Sequence, residues 1–267
     1  MLPTGDHMRS TLKNPLGVAR LVNDLETGLG ALGLKVTCGS DMVDFSKLKK
    51  VARGFEPGPM HDHTVCNFSG ERAFWMTLSN TADKVVGMQA FRYDVVDISL
   101  AEWCSNYMIG VYMRRKELMV PSHTHPPAGS IAEKLRGGLV YHGELWVDGQ
   151  VKSQNAVDLF TRLGSYLALL KWNPDAIWAL TCHRLASRGY MGRFNFSVVE
   201  RGFLRWAWHS EGVDPVEYLA VADRQYLEQS IEEDLESGQF KIGDRANRLS
   251  FGAPKNGALP QELLKLL

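Results

Sequence analysis

The stretch GELWVDGQVKSQNAVDLFTRLGSYLALLKW, residues 143–172, decides the fold. Its first residues are apolar as in a strand, a short polar loop follows, and Val157, Phe160 and Leu167 then keep helical spacing. A strand that enters a helix through a polar loop presents free backbone N–H groups, which can bind phosphate. Phosphate loops are usually rich in glycine, yet none occurs between Val151 and Phe160. We therefore expect a phosphate loop by position that is altered in its residues.

The composition indicates a globular protein with a substantial core, since 45% of the 267 residues are hydrophobic and 22% are charged. Thirty basic residues balance thirty acidic ones, so no net charge attracts nucleic acid or an anionic membrane. The four cysteines are widely spaced and form no CxxC pair, which indicates reduced thiols. The N-terminal residues lack the apolar segment of a signal peptide. We expect a cytoplasmic protein that binds neither nucleic acid nor membrane.

The order of helical and strand patterns predicts an α/β fold with a mixed sheet. The clearest hairpin is AFWMTLSNTADKVVGMQAFRYDVVD, residues 73–97, in which two apolar runs flank a polar turn. Residues 14–33 read as a helix, 176–182 as a buried strand, and 100–113 fit either. A further helix is expected from Asp214 to Ser237, capped by Asp214.

These patterns divide the chain into three predicted parts. A helical segment over residues 1–55 packs on a core over residues 56–210, and a helical extension follows over residues 211–267. For the helix that begins at Asp214, a homodimer contact and a solvated cap are both left open.

Four parts of the chain resemble the GNAT superfamily of acyl-coenzyme A-dependent N-acyltransferases. The hairpin at 73–92 resembles the family's second and third strands, and 143–163 its fourth strand, pyrophosphate loop and third helix. DAIWALTC, residues 175–182, is similar to the fifth strand, and LASRGYMGRFNFSVVE, residues 185–200, to the closing helix and strand. The resemblance covers roughly residues 70–200. It implies a GNAT-like acyltransferase fold with extra N- and C-terminal helices.

In this family the fourth and fifth strands splay apart, and coenzyme A lies in the gap with its pyrophosphate on the loop before the helix. The resemblance therefore implies transfer of an acyl group from acetyl-coenzyme A or another acyl-coenzyme A to an amine of a small molecule or peptide. The residues that it assigns to the cofactor are Val147, Gln150, Lys152, Ser153, Gln154, Asn155 and Ala156.

The resemblance gives the catalytic roles to few residues. Tyr190 is the candidate general acid, although the aligned position is nearer to Met191. The general base is left open among Glu144, His125 and water. From strand alternation alone we expect Tyr141, Gly143, Leu145 and Val147 to share one face of the fourth strand, with His142 and Glu144 on the other.

Two HxH pairs, His61 with His63 and His123 with His125, suggest another chemistry, because alternate residues of a strand can bind one metal. Both pairs lie in loops rich in proline or glycine, so solvated histidines are the preferred interpretation and no metal is assigned. Two rival functions stay open. One is a non-catalytic protein that binds coenzyme A or another ligand on the same fold, and the other is a metal-dependent enzyme built on the histidine pairs.

Overall fold

A computed structural model describes residues 12–68, 71–122, 126–151, 153–209 and 214–238. One eight-stranded sheet organises them, in the order β1-β2-β3-β5-β6-β8-β7-β4. The strands are β1 (Lys35–Gly39), β2 (Ala73–Ser79), β3 (Val85–Val96), β4 (Met119–Pro121), β5 (Gly137–Val147), β6 (Ala176–Thr181), β7 (Val198–His209) and β8 (Val216–Asp223). Within the described sheet, β5 and β6 are parallel and the other neighbours are antiparallel. The predicted α/β class with a mixed sheet is therefore confirmed.

Helices cover both faces of the sheet. They are α1 (Pro15–Ala31), α2 (Met42–Arg53), α3 (Leu100–Trp103), α4 (Ile109–Met113), α5 (Gln154–Trp172), α6 (His183–Ser187), α7 (Tyr190–Arg193) and α8 (Arg224–Ser237). A π-helical turn, Cys104–Met108, joins α3 to α4, so the ambiguous segment 100–113 is helical throughout. Single 3-10 turns lie at Pro59–His61 and Ile131–Glu133. None of the described helices is long and apolar enough to cross a membrane.

The core divides along the two faces of the sheet. Leu25 of α1 and Phe160 of α5 pack with Phe91 of β3 in one cluster, which α8 also joins. On the opposite face, Phe45 of α2 packs against Trp75, while α3 and α4 cover β5 to β8. Because neighbouring residues of a strand point to opposite faces and helices cover both, the inner strands bury side chains on both sides, including the polar Gln89 and His142.

The hairpin predicted at 73–97 is confirmed, since β2 and β3 pair from Ala73 with Arg92 to Ser79 with Val85. The helix expected from Asp214 is wrong over its first half, because Val216–Asp223 is a strand between β6 and β7. The segments assigned to helical additions thus both contribute strands to the sheet, β1 at one edge and β8 in its interior. The helical part of the C-terminal segment begins at Arg224, with Asp223 as its N-cap.

Candidate functional site

A cleft opens where the two parallel strands separate. β5 and β6 pair only from Leu139–Ala176 to Tyr141–Trp178. Beyond these pairs β5 remains on β3, and β6 remains on β8 as far as Thr181. The space between them measures about 450 Å³. Its walls come from β5, β6, α6, α7 and the start of β8, and include Tyr141, His142, Gly143, Glu144, Leu145, Ala179, Leu180, Thr181, Cys182, Arg184, Leu185, Met191, Phe194, Phe196, Asp214 and Glu217.

A bulge in β5 lies on the wall of this cleft. Gly143 pairs with Ala90 and Trp146 with Met88, so two residues of β5 stand opposite the single residue Gln89. Glu144 adopts a left-handed backbone with φ of 60°. The extra residue reverses the alternation of side chains beyond it. The prediction that Tyr141, Gly143, Leu145 and Val147 share one face of β5 is therefore wrong.

The two faces of β5 can be assigned from its neighbours. Val147 is buried in the α1–α5 cluster, on the face where His142 stacks against Phe91 with ring centroids 4.4 Å apart. Tyr141 belongs to the cluster on the opposite face. Val147 and Tyr141 were expected on one face, and the bulge between them separates them.

Glu144, one of the candidate bases, is held by three neighbours. Its carboxylate forms an ion pair with Lys49 and accepts a hydrogen bond of 2.6 Å from the backbone N–H of Gly58, and His61 Nδ1 lies 4.0 Å away. Burial alone would raise the pKa of Glu144, but the charge of Lys49, His61 and these hydrogen bonds together lower it. An ionised carboxylate committed to a buried ammonium is a weak base, although it borders the cleft.

The first histidine pair does not converge on one point. His61 is 1% exposed and stacks on Tyr141 at 5.3 Å, while His63 Nδ1 lies 3.1 Å from Ser46 Oγ. Burial lowers the pKa of His61 to about 4. No group of three or more His, Cys, Asp or Glu side chains in the described ranges could hold a metal ion. His123 and His125 lie outside the described residues, so the position of His125 as a base stays a prediction.

Two buried polar side chains on the cleft wall lack partners among the described residues. His142 is 3% exposed, and neither of its ring nitrogens has a hydrogen-bond partner. Burial lowers its pKa to about 3, so the ring is neutral and offers one donor and one acceptor. Thr181 Oγ1 on the facing strand is also unpaired. Since buried polar groups normally have partners, both are suited to binding a ligand in the cleft.

The acidic residues at the start of β8 form the other end of the cleft. Glu217 Oε1 accepts a hydrogen bond of 3.3 Å from Trp206 Nε1, and Asp214 Oδ2 accepts one of 2.8 Å from the backbone N–H of His183. Burial, reinforced by the negative charge of Asp214, raises the pKa of Glu217 to about 7. Glu217 was not predicted as a site residue, because the sequence pattern placed it in the helix expected from Asp214.

The residues expected to bind pyrophosphate surround the start of α5. Ser153 is the N-cap, its side chain caps no amide, and the first turn carries no acidic residue. Asn155 is exposed, whereas Ala156 is buried and its N–H donates to the carbonyl of Ser153 at 3.1 Å. The amides just before Ala156 have no intrahelical partner, as at every helix start. Lys152 lies outside the described residues, and of Gln154 only the backbone is described.

Val147 and Gln150 occupy the strand end and the turn before this helix. The side chain of Val147 is buried in the core, so only its backbone can contact a ligand. Asp148 N donates to Val86 O at 2.7 Å, which makes the preceding pair, Val147 with Gly87, a non-hydrogen-bonded one. The N–H and C=O of Val147 therefore point to the edge of β5 that borders the gap. Gln150 is exposed, and its N–H donates to Asp148 Oδ1.

Tyr190, the candidate general acid, is not among the residues that line the cleft. It stacks on Phe194 with ring centroids 6.0 Å apart, and the guanidinium of Arg193 lies over its ring. Met191 occupies the cleft wall in its place. Of the two candidate catalytic residues in the described ranges, only Glu144 therefore lines the cleft.

A second cleft, about 740 Å³, lies between the start of α2 and residues 63–68. No buried side-chain polar atom without a partner lies on its described walls. The cleft between β5 and β6 is therefore the better candidate for a ligand site.

No protein-family profile and no curated protein sequence matches the chain. Among solved structures it is similar to Arabidopsis thaliana NAA60 in complex with acetyl-CoA, with 14% identity and a TM-score of 0.40 over 72% of this chain and 99% of that one. It is also similar to FeeM, an N-acyl amino acid synthase from uncultured soil microbes, with 12% identity and a TM-score of 0.41 over 78% of this chain and 97% of that one. A third similar structure is Mycobacterium smegmatis RimJ in complex with CoA-disulfide, with 10% identity and a TM-score of 0.38 over 84% of this chain and 86% of that one. Similarities with so low a sequence identity show neither the ligand nor the activity of this chain. Both have to be inferred from the residues of the cleft.

Proposed function

We propose that the chain is an N-acyltransferase that takes an acyl-coenzyme A in the cleft between β5 and β6 and transfers its acyl group to an amine. The observation that carries the proposal is the short parallel pairing of these strands, followed by their separation. The gap leaves one edge of β5 with backbone groups such as those of Val147 directed into it. An extended ligand with amide groups can pair with such an edge as an added strand, and the pantetheine arm of coenzyme A has this chemistry.

The start of α5 supports the same ligand. Its free amides and positive dipole end favour an anion, and no acidic side chain in the first turn opposes one. We propose that Ser153, Gln154 and Asn155 bind the pyrophosphate, with Gln150 and Lys152 beside them. Ala156 supports the helix rather than the ligand, because its side chain is buried and its amide is already bonded.

Bound acyl-coenzyme A would supply a thioester carbonyl. The amine nitrogen attacks this carbonyl, the N–C bond forms, the C–S bond breaks, and the nitrogen gives up one proton. Because a thiol has a pKa of about 8.5, its thiolate leaves readily near neutral pH and needs little help from a general acid. The role of Tyr190 is therefore dispensable in this proposal, and the principal requirement is a base.

Two substitutions of opposite charge at Asn155 test whether the start of α5 binds the pyrophosphate. We expect Asn155→Asp to weaken the binding of acetyl-coenzyme A about tenfold, equivalent to about 1.4 kcal/mol. The added carboxylate stabilises the helix start while it repels the pyrophosphate, so weaker binding could not be attributed to unfolding. Isothermal titration calorimetry measures the affinity, and Asn155→Lys at the same exposed position is the matched control. Equal affinities of the two variants for acetyl-coenzyme A would contradict the proposal that the pyrophosphate binds at the start of α5.

A binding protein without turnover is the second candidate. It is favoured by the ion pair with Lys49 that occupies Glu144, a candidate base. Release of coenzyme A thiol from acetyl-coenzyme A in the presence of amines separates the two functions, because both predict binding and only the first predicts release.

A further inference from the structure

We propose that Glu217 is the general base that accepts the proton of the attacking amine. The inference rests on the proposed function and adds a residue to it. Glu217 lies near the start of β8, paired with Leu204 of β7, and borders the same cleft as His142 and Thr181. Its carboxylate therefore faces the space in which a thioester between β5 and β6 would meet an acceptor.

The contacts of Glu217 leave it able to accept a proton. The indole N–H of Trp206 donates to Oε1 and fixes the orientation of the carboxylate. No Lys, Arg or His of the described residues forms an ion pair with it, in contrast to Glu144 with Lys49. Oε2 is therefore the oxygen that can take the proton.

The charges around Glu217 favour a proton acceptor that works near neutral pH. Burial is the main reason for its raised pKa of about 7, and the carboxylate of Asp214 adds to it. The other titratable or charged groups that face the carboxylate or share its cleft are Tyr112, Tyr141, His142, Glu144, Cys182 and Arg184. A base with a pKa near the working pH combines a large ionised fraction with good proton affinity.

The step balances without another reactant. As the amine nitrogen bonds to the thioester carbonyl, its proton moves to Glu217 Oε2, and the electron pair of the C–S bond leaves with sulfur. The thiolate is then protonated by solvent, and Glu217 loses its proton to solvent. Amide and coenzyme A thiol are the products. Asp214 and Glu217 together also make this end of the cleft acidic, which favours an amine over an acidic acceptor. An amine that arrives as an ammonium ion gives one proton to solvent before it attacks, and its second proton moves to Glu217.

The first test needs no acceptor. In protein labelled with ¹³C at glutamate carboxyls, we expect one resonance to titrate near pH 7 and to be absent from Glu217→Gln. Glu217→Gln is isosteric and preserves the acceptor for Trp206, so the fold should survive. A Glu217 midpoint near 4.5, the ordinary value for a glutamate, would overturn the inference whether or not the protein binds acetyl-coenzyme A.

The second test is kinetic. Thiol release from acetyl-coenzyme A is followed from pH 5.5 to 9 with ethanolamine, spermidine and lysine as acceptors. For the wild type we expect kcat/KM to rise with pH through about 7, as Glu217 ionises. Glu217→Gln should lose the inflection near pH 7, keep only the rise that comes from deprotonation of the acceptor amine, and fall about 10²- to 10⁴-fold in rate, with unchanged affinity for acetyl-coenzyme A by calorimetry. Glu232→Gln, an exposed change on α8, should behave as the wild type.

The outcomes separate the two proposals. A wild type that turns over, with a Glu217→Gln variant that keeps its rate and pH profile, overturns the role of Glu217 alone. A wild type that fails to bind acetyl-coenzyme A contradicts the proposed function, whereas the carboxyl titration still decides the state of Glu217. Binding without thiol release from any of the three amines contradicts both the transferase and its base.

Discussion

Two glutamates on the walls of one cleft have opposite environments. Glu144 has its pKa lowered despite burial, because the ammonium of Lys49, His61 and the N–H of Gly58 stabilise its charge. Glu217 is partly buried, and this burial together with the charge of Asp214 raises its pKa to about 7, while no cation among the described residues pairs with it. Groups whose environments move their pKa values apart commonly divide structural and chemical roles. We therefore regard Glu144 as a structural member of an ion pair and Glu217 as the reactive carboxylate.

The structural role of Glu144 gives a stability prediction. Glu144→Gln leaves the ammonium of Lys49, a residue only 7% exposed, buried without its counter-charge. We expect this change to lower the free energy of unfolding by about 3–5 kcal/mol, as for other broken buried ion pairs. Urea denaturation measures it. The double variant Lys49→Met with Glu144→Gln is the control and should recover a large part of the loss. A loss as large in the double variant would mean that the ion pair is not the cause.

At the scale of residues, sequence patterns predict the strands β5 and β6 that border the cleft but not which side chains enter it. The bulge at Glu144 could not be predicted, because a left-handed backbone is ordinarily signalled by Gly, Asn or Asp. It changes which side chains of β5 meet the α1–α5 core. Tyr190 and Met191 are neighbours in sequence, yet the short helix α7 turns only Met191 to the cleft. Such orientations depend on tertiary contacts.

At the scale of elements, α5 lies close to β3 at a glycine. A Cβ atom added to Gly164 would come within 2.5 Å of Phe91 Cζ and 2.6 Å of Gln89 Nε2. Gln89 is itself buried and donates to the carbonyl of Phe160 at 2.7 Å, which joins β3 to α5. Gly164 thus sets the distance between the helix and the strand beneath it.

A matched pair of glycine substitutions tests this contact. We expect Gly164→Ala to lower the free energy of unfolding by about 1–3 kcal/mol, because the methyl group overpacks a filled interface. Gly30→Ala in α1 meets nothing within 4 Å and should raise it by about 0.5–1 kcal/mol through helix propensity. Thermal or urea unfolding measures both. Equal effects of the two substitutions would show that α5 does not rest on β3 as described.

The misassigned element has a physical explanation. The element is β8, VEYLAVAD at Val216–Asp223. Its Ala220 and Ala222 pack on one face of the sheet, and Leu219 and Val221 pack on the other. A strand buried on both faces shows no alternation, so its apolar run also fits the start of the helix that follows it. This error hid Glu217. A glutamate among apolar residues of an interior strand is a candidate site residue, whereas a glutamate on an amphipathic helix is expected on the solvent-exposed face.

At the scale of the whole molecule, the topology creates the site. β8 lies between β6 and β7 and holds β6 in place, while β3 holds β5, so the parallel pair can separate without unpaired strands on its outer sides. The mixed sheet and the hairpin followed from sequence patterns, because long apolar and alternating runs are reliable signals. The strand order did not follow from those patterns. It arises from long-range pairing that a single sequence does not display.

Alkylation of Cys182 tests the central claim, that acyl-coenzyme A occupies the cleft between β5 and β6, most directly. Cys182 lines the cleft and is partly exposed, whereas Cys38 is exposed outside it, and Cys66 and Cys104 are buried. With N-ethylmaleimide at pH 8 and detection by mass spectrometry, we predict that acetyl-coenzyme A slows the modification of Cys182 about tenfold at about ten times its Kd and leaves that of Cys38 unchanged. Equal rates at Cys182 with and without acetyl-coenzyme A would contradict the account.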